Sequence, residues 1–424
     1  MGSVVEVNPL SRVEGHGTLR VYLEGRHVER VELCLTESPR LFEALLLGRS
    51  FAEVPDIICR ICSLCSTVHK VTALLAVEEA LKLPVSRTTR LTRELILHGG
   101  QLQSHALHLY CLLLPDLLEV KGVADLARQA PELLKAGLAL KQVGNQIQEE
   151  LGGRLIHPVN ITLGGVGRRA SRDTLYRLRD GIESVLPICT DTVQLFRQGF
   201  PFPPLSAPHY LAVQTGESAF SGRALTLESL PGIPVAGYRE AISEWPVEHS
   251  HAKSARVRGL VPTVGALARL NLAPPAGGPV GELFKEVGGA VTGQDLRGNA
   301  LAQALELYQS ALAARDLVEE LLEYDPADTG SPPVLTPAAG SGSAACEAPR
   351  GVLIHGYSFD ASGLCRAADV ITPTSLNQLA LEENLLALAH GMEGAEPAVL
   401  VAALERLVRC FDPCISCAVH LVQL

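Results

Sequence analysis

Apolar and polar positions alternate over the first short segments of the chain, VVEVNPL, GTLRVYLEG and HVERVELCL. A period of two predicts strands, and Gly25 between the second and third predicts a turn, so residues 4–36 read as a small N-terminal antiparallel sheet. From about residue 39 the period lengthens. LFEALLLGRS, SLCSTVHKVTALLAVEEALKL, RTTRLTRELILHGGQLQSHALHLYCLLL and ARQAPELLKAGLALKQVGNQIQEELGG carry apolar residues three and four apart, as amphipathic helices do. The glycine pair closing the last of these is a helix stop. The middle, with GGVGRR, FPFPPLSAPHY and LPGIP, reads as loop-rich. Helix returns over 282–323, with interruptions at GGA and TGQ. DPADTGSPPVLTPAAGSGSAACEAPRG reads as a long surface excursion, followed by a hairpin over GVLIHGYSFDASGLCRAADVITP and helices over 376–409. No repeat of fixed period is visible. The expected fold is α+β and mainly helical, a long helical bundle core beside the small sheet, in one domain over residues 1–424.

Composition sharpens this picture. Hydrophobic residues make up 47% of the chain and aromatics 4%, which allows a large core and favours helices rich in Leu and Ala. A net charge of −10 argues against nucleic acid or anionic lipid as a partner. The most apolar stretch, LHLYCLLLPDLLEV, is broken by Pro115 and Asp116 and reads as a buried helix and its end, so no membrane span is expected. The opening MGSVVEVNPLSRVEGHG lacks the pattern of a signal peptide. Eleven cysteines in such a chain point to thiols and metal in a reducing compartment, so the expected location is the cytoplasm.

The chemistry concentrates in two clusters. CRICSLCSTVHK holds Cys59, Cys62, Cys65 and His69, and a helix beginning near Ser63 would put Cys62, Cys65 and His69 on one face. DPCISCAVHLVQL holds Cys414, Cys417 and His420, and a helix there would turn His420 roughly 120° away from Cys414, toward a different partner. Two C-x-x-C pairs admit several readings. They could hold a structural zinc tetrathiolate, although such a site usually staples a small module. They could hold an iron–sulfur cluster, although the ferredoxin run wants a further Cys-Pro where this chain has His69. They could be buried thiols without metal. They could also carry a catalytic centre of nickel or iron, which soft thiolates suit.

RICSLCSTVH and DPCISCAVH resemble the two nickel-binding motifs of the large, catalytic subunit of [NiFe] hydrogenases. SRVEGHG resembles that family's N-terminal signature, EAPRG its arginine motif, and ITPTSLN its P-[ST]-T-x-N segment, with Ser375 where threonine is usual. The motifs stand in family order from Ser11 to His420. The resemblance implies a [NiFe]-hydrogenase large-subunit-like fold and the reversible heterolytic cleavage of dihydrogen. It makes Cys62 and Cys414 terminal nickel ligands and Cys65 and Cys417 bridges to an iron that carries carbon monoxide and cyanide. Cys414 would be the proton-accepting base and Glu14 the relay that takes the proton onward. Arg350 would stand over the open side of the metals with Asp412 as its ion-pair partner, while Pro349 and Thr374 would surround the iron's diatomic ligands. Glu43, the carbonyl of Val370 and His420 match a second metal site, Mg2+ or Fe2+, and His69 would hydrogen-bond a bridging sulfur.

Where many relatives carry an acidic residue near the metals, this chain has Ser104, in QSHALHLY. His105 and His108 read as hydrogen-bonded core histidines, and Cys59 and Cys410 as packing cysteines. Cys34, Cys111, Cys189, Cys346 and Cys365 are too scattered to hold a cluster, so the implied partner is an iron–sulfur small subunit. The resemblance is greatest to the soluble cytoplasmic bidirectional groups, in which diaphorase-type or heterodisulfide reductase-type subunits carry electrons onward. Nickel-insertion proteins and a C-terminal protease would complete the partners, the protease removing residues 421–424 after His420. Two readings from other classes stand against this one. They are a non-hydrogenase relative such as the quinone-proximal subunit of complex I, which lacks the nickel cysteines, and a zinc-stapled interaction protein.

Overall fold

The structure, a computed structural model, describes residues 2–419 apart from 26, 38–40, 201–203, 208, 217, 229, 292, 294, 324–327 and 329. Strands Gly2–Val7, Gly17–Glu24 and His27–Leu35 form the expected N-terminal antiparallel sheet, with Gly25 at positive φ in the second turn. Alternation sets its faces: Leu19, Val21, Val31, Leu33 and Leu35 are buried while Glu24 and Glu29 face outward.

The helical core is built on Arg87–Leu107, Pro131–Gly152, Arg172–Phe196 and Asn299–Glu323. Ser86 caps the first through its side-chain oxygen, which accepts from Thr89 N. Arg87–Leu107 crosses Pro131–Gly152 at Gly99 and Gly144, where a Cβ on Gly144 would stand 2.5 Å from the Gly99 carbonyl oxygen. The bare backbones therefore set the depth of the crossing. Arg87–Leu107 then runs into a π-helical segment, His108–Leu113, ahead of Pro115.

Two expectations are corrected. The loop-rich middle contains the 25-residue helix Arg172–Phe196, whose apolar face packs on Asn299–Glu323 and which continues through Pro187. The supposed surface excursion ends early: Gly340–Ala348 is a strand, paired antiparallel to Gly351–Phe359, which pairs in turn with Cys365–Ile371. Its Gly/Ser composition serves packing. A Cβ at Gly340 would come within 2.1 Å of the Ala80 carbonyl and one at Gly342 within 2.4 Å of that of Ala76, on helix Ser66–Leu81. Small residues here let a sheet lie directly on a helix. The same strand pair presents Pro349 and Arg350 in its tight turn, facing the core. Helices Pro373–Gly391 and Pro397–Cys410 then return the chain to that core. Among the described residues, no helix is long and apolar enough to cross a membrane.

Candidate metal centre

Cys62 and Cys65 flank a bend. A 3-10 turn, Cys59–Ile61, ends at Cys62 in extended conformation (φ −145°, ψ 143°), and Cys65 is the residue from which helix Ser66–Leu81 starts. Cys62 therefore does not share a helical face with Cys65 and His69 as its spacing suggested, because the helix begins after both cysteines. The bend instead lets the Cys65 N–H donate to Cys62 Sγ at 3.4 Å. Cys414 is likewise extended, ahead of the single turn Ile415–Ala418 that carries Cys417. That turn ends at Val419, which is no longer helical (φ −97°, ψ 77°). His420 and residues 421–424 lie outside the described residues.

Opposite ends of the chain meet here. Glu14 pairs as a β-bridge with Cys414, its carbonyl accepting from Ile415 N at 3.1 Å, and Thr374 Oγ1 accepts from Cys414 N at 2.9 Å. The four sulfurs converge within 4.8 Å of one another, with Cys62 to Cys414 at 3.4 Å, Cys65 to Cys414 at 3.5 Å and Cys414 to Cys417 at 3.0 Å. All four are free thiols and almost wholly buried. Hydrogen bonds from Cys414 and Cys417 lower the pKa values of Cys62 and Cys65, and burial raises those of Cys414 and Cys417 well above the usual thiol value. A cation among them would favour the thiolate at every one.

Charged groups close over two sides. Glu14 Oε1 is 3.9 Å from Cys62 Sγ, and its Oε2 accepts from Ser416 N at 3.0 Å. Burial, then the neighbouring Cys62, raises the Glu14 pKa, offset in part by the Ser416 hydrogen bonds. Across the sulfurs, Arg350 donates through Nη1 toward Cys65 Sγ at 3.7 Å and to Ser104 Oγ at 3.2 Å. Its Nη2 and Nε reach Asp412 Oδ1 at 2.9 and 3.1 Å. Burial alone would lower the arginine pKa; Asp412 and the sulfurs outweigh it and raise it. A guanidinium held this way cannot lose its proton and keeps its charge over the sulfurs.

The profile of the nickel-dependent hydrogenases matches residues 40–151 and 219–420. This chain belongs to that family. It is therefore an oxidoreductase acting on dihydrogen, and the four buried thiols stand where a nickel–iron site requires them. Over its whole length the hydrogenase is similar to sulfhydrogenase 2 subunit alpha of Pyrococcus furiosus, at 34% identity covering 99% of this chain and 100% of that one. It is 27% identical to the NAD-reducing hydrogenase HoxS subunit beta of Cupriavidus necator, covering 99% and 95%. Its fold matches an NAD+-reducing [NiFe]-hydrogenase in the H2-reduced state, with TM-score 0.88 and 25% identity over 99% of both chains. The Ni-Fe-Se hydrogenase of Desulfovibrio vulgaris Hildenborough also matches, at TM-score 0.79 and 25% identity over 99% of this chain and 100% of that one.

Elsewhere in the hydrogenase, Glu43 Oε1 accepts from Val370 N at 2.7 Å, both residues buried, so two of the three expected second-metal residues touch. His69 Nδ1 lies 3.1 Å from His355 Nε2, and His355 Nδ1 is 2.7 Å from the Tyr357 hydroxyl. Cys59 and Cys410 are buried apart from the cluster, as expected, and burial pushes Cys59 up to about 11.

Sequence reasoning missed the support behind the Pro349–Arg350 turn. Arg269 donates to the carbonyls of Ala348 and Pro349, each at 3.0 Å, and pairs with Glu306 and Glu347. His105 joins Glu306 at 3.0 Å. Burial opposes the charge on Glu306, but Arg269 overrides it and brings the carboxyl down to about 2. The signal lay in single charges within apolar helical runs, Arg269 in ALARLNL and Glu306 in LAQALELY.

Proposed function

We propose that this chain is the catalytic subunit of a [NiFe] hydrogenase, holding nickel and iron on Cys62, Cys65, Cys414 and Cys417 and cleaving dihydrogen heterolytically and reversibly. The convergence of four thiols between a carboxylate and a guanidinium carries this reading. The bound metals, with carbon monoxide and cyanide on iron, supply the redox chemistry that no side chain can. In this reading Cys62, Cys65, Cys414 and Cys417 would together hold the two metals. Cys414 accepts the proton, and Glu14, whose carboxylate holds Ser416 N beside it, takes the proton away. Arg350, fixed by Asp412, holds positive charge above the reacting space. Thr374 receives the Cys414 amide on its oxygen and so retains its hydroxyl proton to donate to cyanide, beside Pro349. Glu43, the Val370 carbonyl and His420 would hold Mg2+ or Fe2+, and His69 would orient one of the ligand sulfurs.

Electrons leave through an iron–sulfur small subunit, because the remaining cysteines are dispersed. Likeness to NAD-reducing hydrogenases supports diaphorase-type partners, and heterodisulfide reductase-type subunits are the alternative. The reading includes a cytoplasmic location and a single domain over 1–424. Elemental and infrared analysis of purified enzyme tests it. Nickel and iron together, with bands from metal-bound carbon monoxide and cyanide, support it. Zinc alone, or a metal-replete preparation without those bands, overturns it.

A further inference from the structure

Behind Asp412 lies a hydrogen-bond chain whose donors and acceptors can be counted. His108 is 1% exposed and opens the π-helical segment His108–Leu113, a rare wide turn that often marks functional positions. Its Nε2 is 2.8 Å from the carbonyl oxygen of Arg409, which can only accept. Its Nδ1 is 2.6 Å from Gln303 Oε1. Exchanging oxygen and nitrogen in the Gln303 amide would let it donate to His108, but the other end of that amide forbids the exchange. Gln303 Nε2 donates to Asp412 Oδ2 at 3.2 Å, and the reversed amide would set its oxygen against a carboxyl oxygen while two Arg350 nitrogens hold the other oxygen of that group. Both ring nitrogens of His108 therefore face acceptors, and neutral imidazole has one proton to give.

We infer that His108 carries two ring protons and stands as a second buried cation behind Asp412, positioning that carboxylate and, through it, Arg350. The side chain of His108 approaches Asp412 Oδ1 at 3.7 Å, so one carboxylate faces two cations. Ser104, which shares Arg350 Nη1 with the Cys65 sulfur, is neutral. The nearby Arg409 guanidinium points away to Asp116, at 2.6 and 3.0 Å, a carboxylate that Arg12 and Arg406 share, and Glu405 stands 3.7 Å from Arg409. Arg350, Asp412 and a doubly protonated His108 together carry a surplus of one positive charge beside the four sulfurs, in a medium where such a charge acts strongly. Two charge-assisted hydrogen bonds and Asp412 offset the cost of burying the imidazolium.

The protonation state does not depend on the hydrogenase reading, whereas its effect on turnover rests on it. Neutron diffraction from deuterium-exchanged holoenzyme tests the first directly. Deuterium on both Nδ1 and Nε2 of His108 supports the inference; deuterium on one nitrogen alone, or the Gln303 amide nitrogen turned toward the ring, overturns it whatever metals are present. His108→Gln tests the second. Its expected result is retained nickel and iron, shifted infrared bands of the iron-bound diatomics and turnover lowered about 10-fold or more. Unchanged bands and turnover with full metal content would refute a positioning role.

Discussion

The floor and the roof of the metal centre are built by different rules. The floor is four cysteines in two local pairs, held by short-range devices: a bend at Cys62, a helix start at Cys65, and a single turn between Cys414 and Cys417. The roof is Arg350, Asp412, Gln303 and the helical neighbours Ser104 and His108, four separate stretches of chain that meet only in the folded core. Each floor residue can be replaced in function only by another soft donor. Each roof residue works through its neighbours, so damage there passes along hydrogen bonds. On the proposed function, the centre separates holding a metal from setting the field around it.

The sharpest test of that separation removes a floor sulfur. Cys65→Ser exchanges a soft ligand for a hard one and should lose nickel together with activity, by more than about 1,000-fold. Elemental analysis with an H2-oxidation assay checks both, and full nickel content in this variant would break the comparison. Next comes the roof. Arg350→Lys keeps the charge but loses the planar fork that grips Asp412 through two nitrogens while a third points at Cys65. Metal content should hold while turnover falls by about 100-fold, a loss of electrostatic positioning rather than of a ligand. Loss of nickel in this variant would show that roof and floor are not separable.

The same contrast explains what the sequence disclosed. The N-terminal sheet and the long helices were legible because alternation and three-to-four spacing are local. The cysteine pairs were legible for the same reason, and Arg350 with Asp412 because family motifs surround each. The conformation of Cys62 was not, since an extended residue and a helical one share the same C-x-x-C letters. Strand Gly340–Ala348 was hidden because glycine and serine look like a linker until helix Ser66–Leu81 is known to lie against them. Helix Arg172–Phe196 was obscured by its charged outer face and by Pro187. Gln303 and Glu306 sit at helical spacing in an apolar helix, a polar stripe whose partners are far away in sequence.

A smaller effect is expected behind the roof. Arg269→Met removes the cation between Glu306 and Glu347 and leaves two buried carboxylates facing each other. The expected cost is about 3–5 kcal/mol in unfolding free energy, measured by urea titration. Since Arg269 also holds the Ala348 and Pro349 carbonyls, turnover should fall with stability, and a stable variant with normal turnover would detach this cluster from the site.

The mildest change addresses Ser104. Arg350 donates to its hydroxyl at 3.2 Å but keeps Asp412 and the Cys65 sulfur as partners, so Ser104→Ala leaves one N–H short of an acceptor rather than freeing the side chain. The expected loss is about 1 kcal/mol, close to that of a single hydrogen bond. Turnover should drop less than about 10-fold, with nickel and iron unchanged. If Ser104→Ala instead matches Arg350→Lys, the hydroxyl shares fully in fixing the guanidinium, and the roof behaves as one cooperative unit rather than as an arginine on a single carboxylate. Urea midpoints and initial rates on the same preparations distinguish the two.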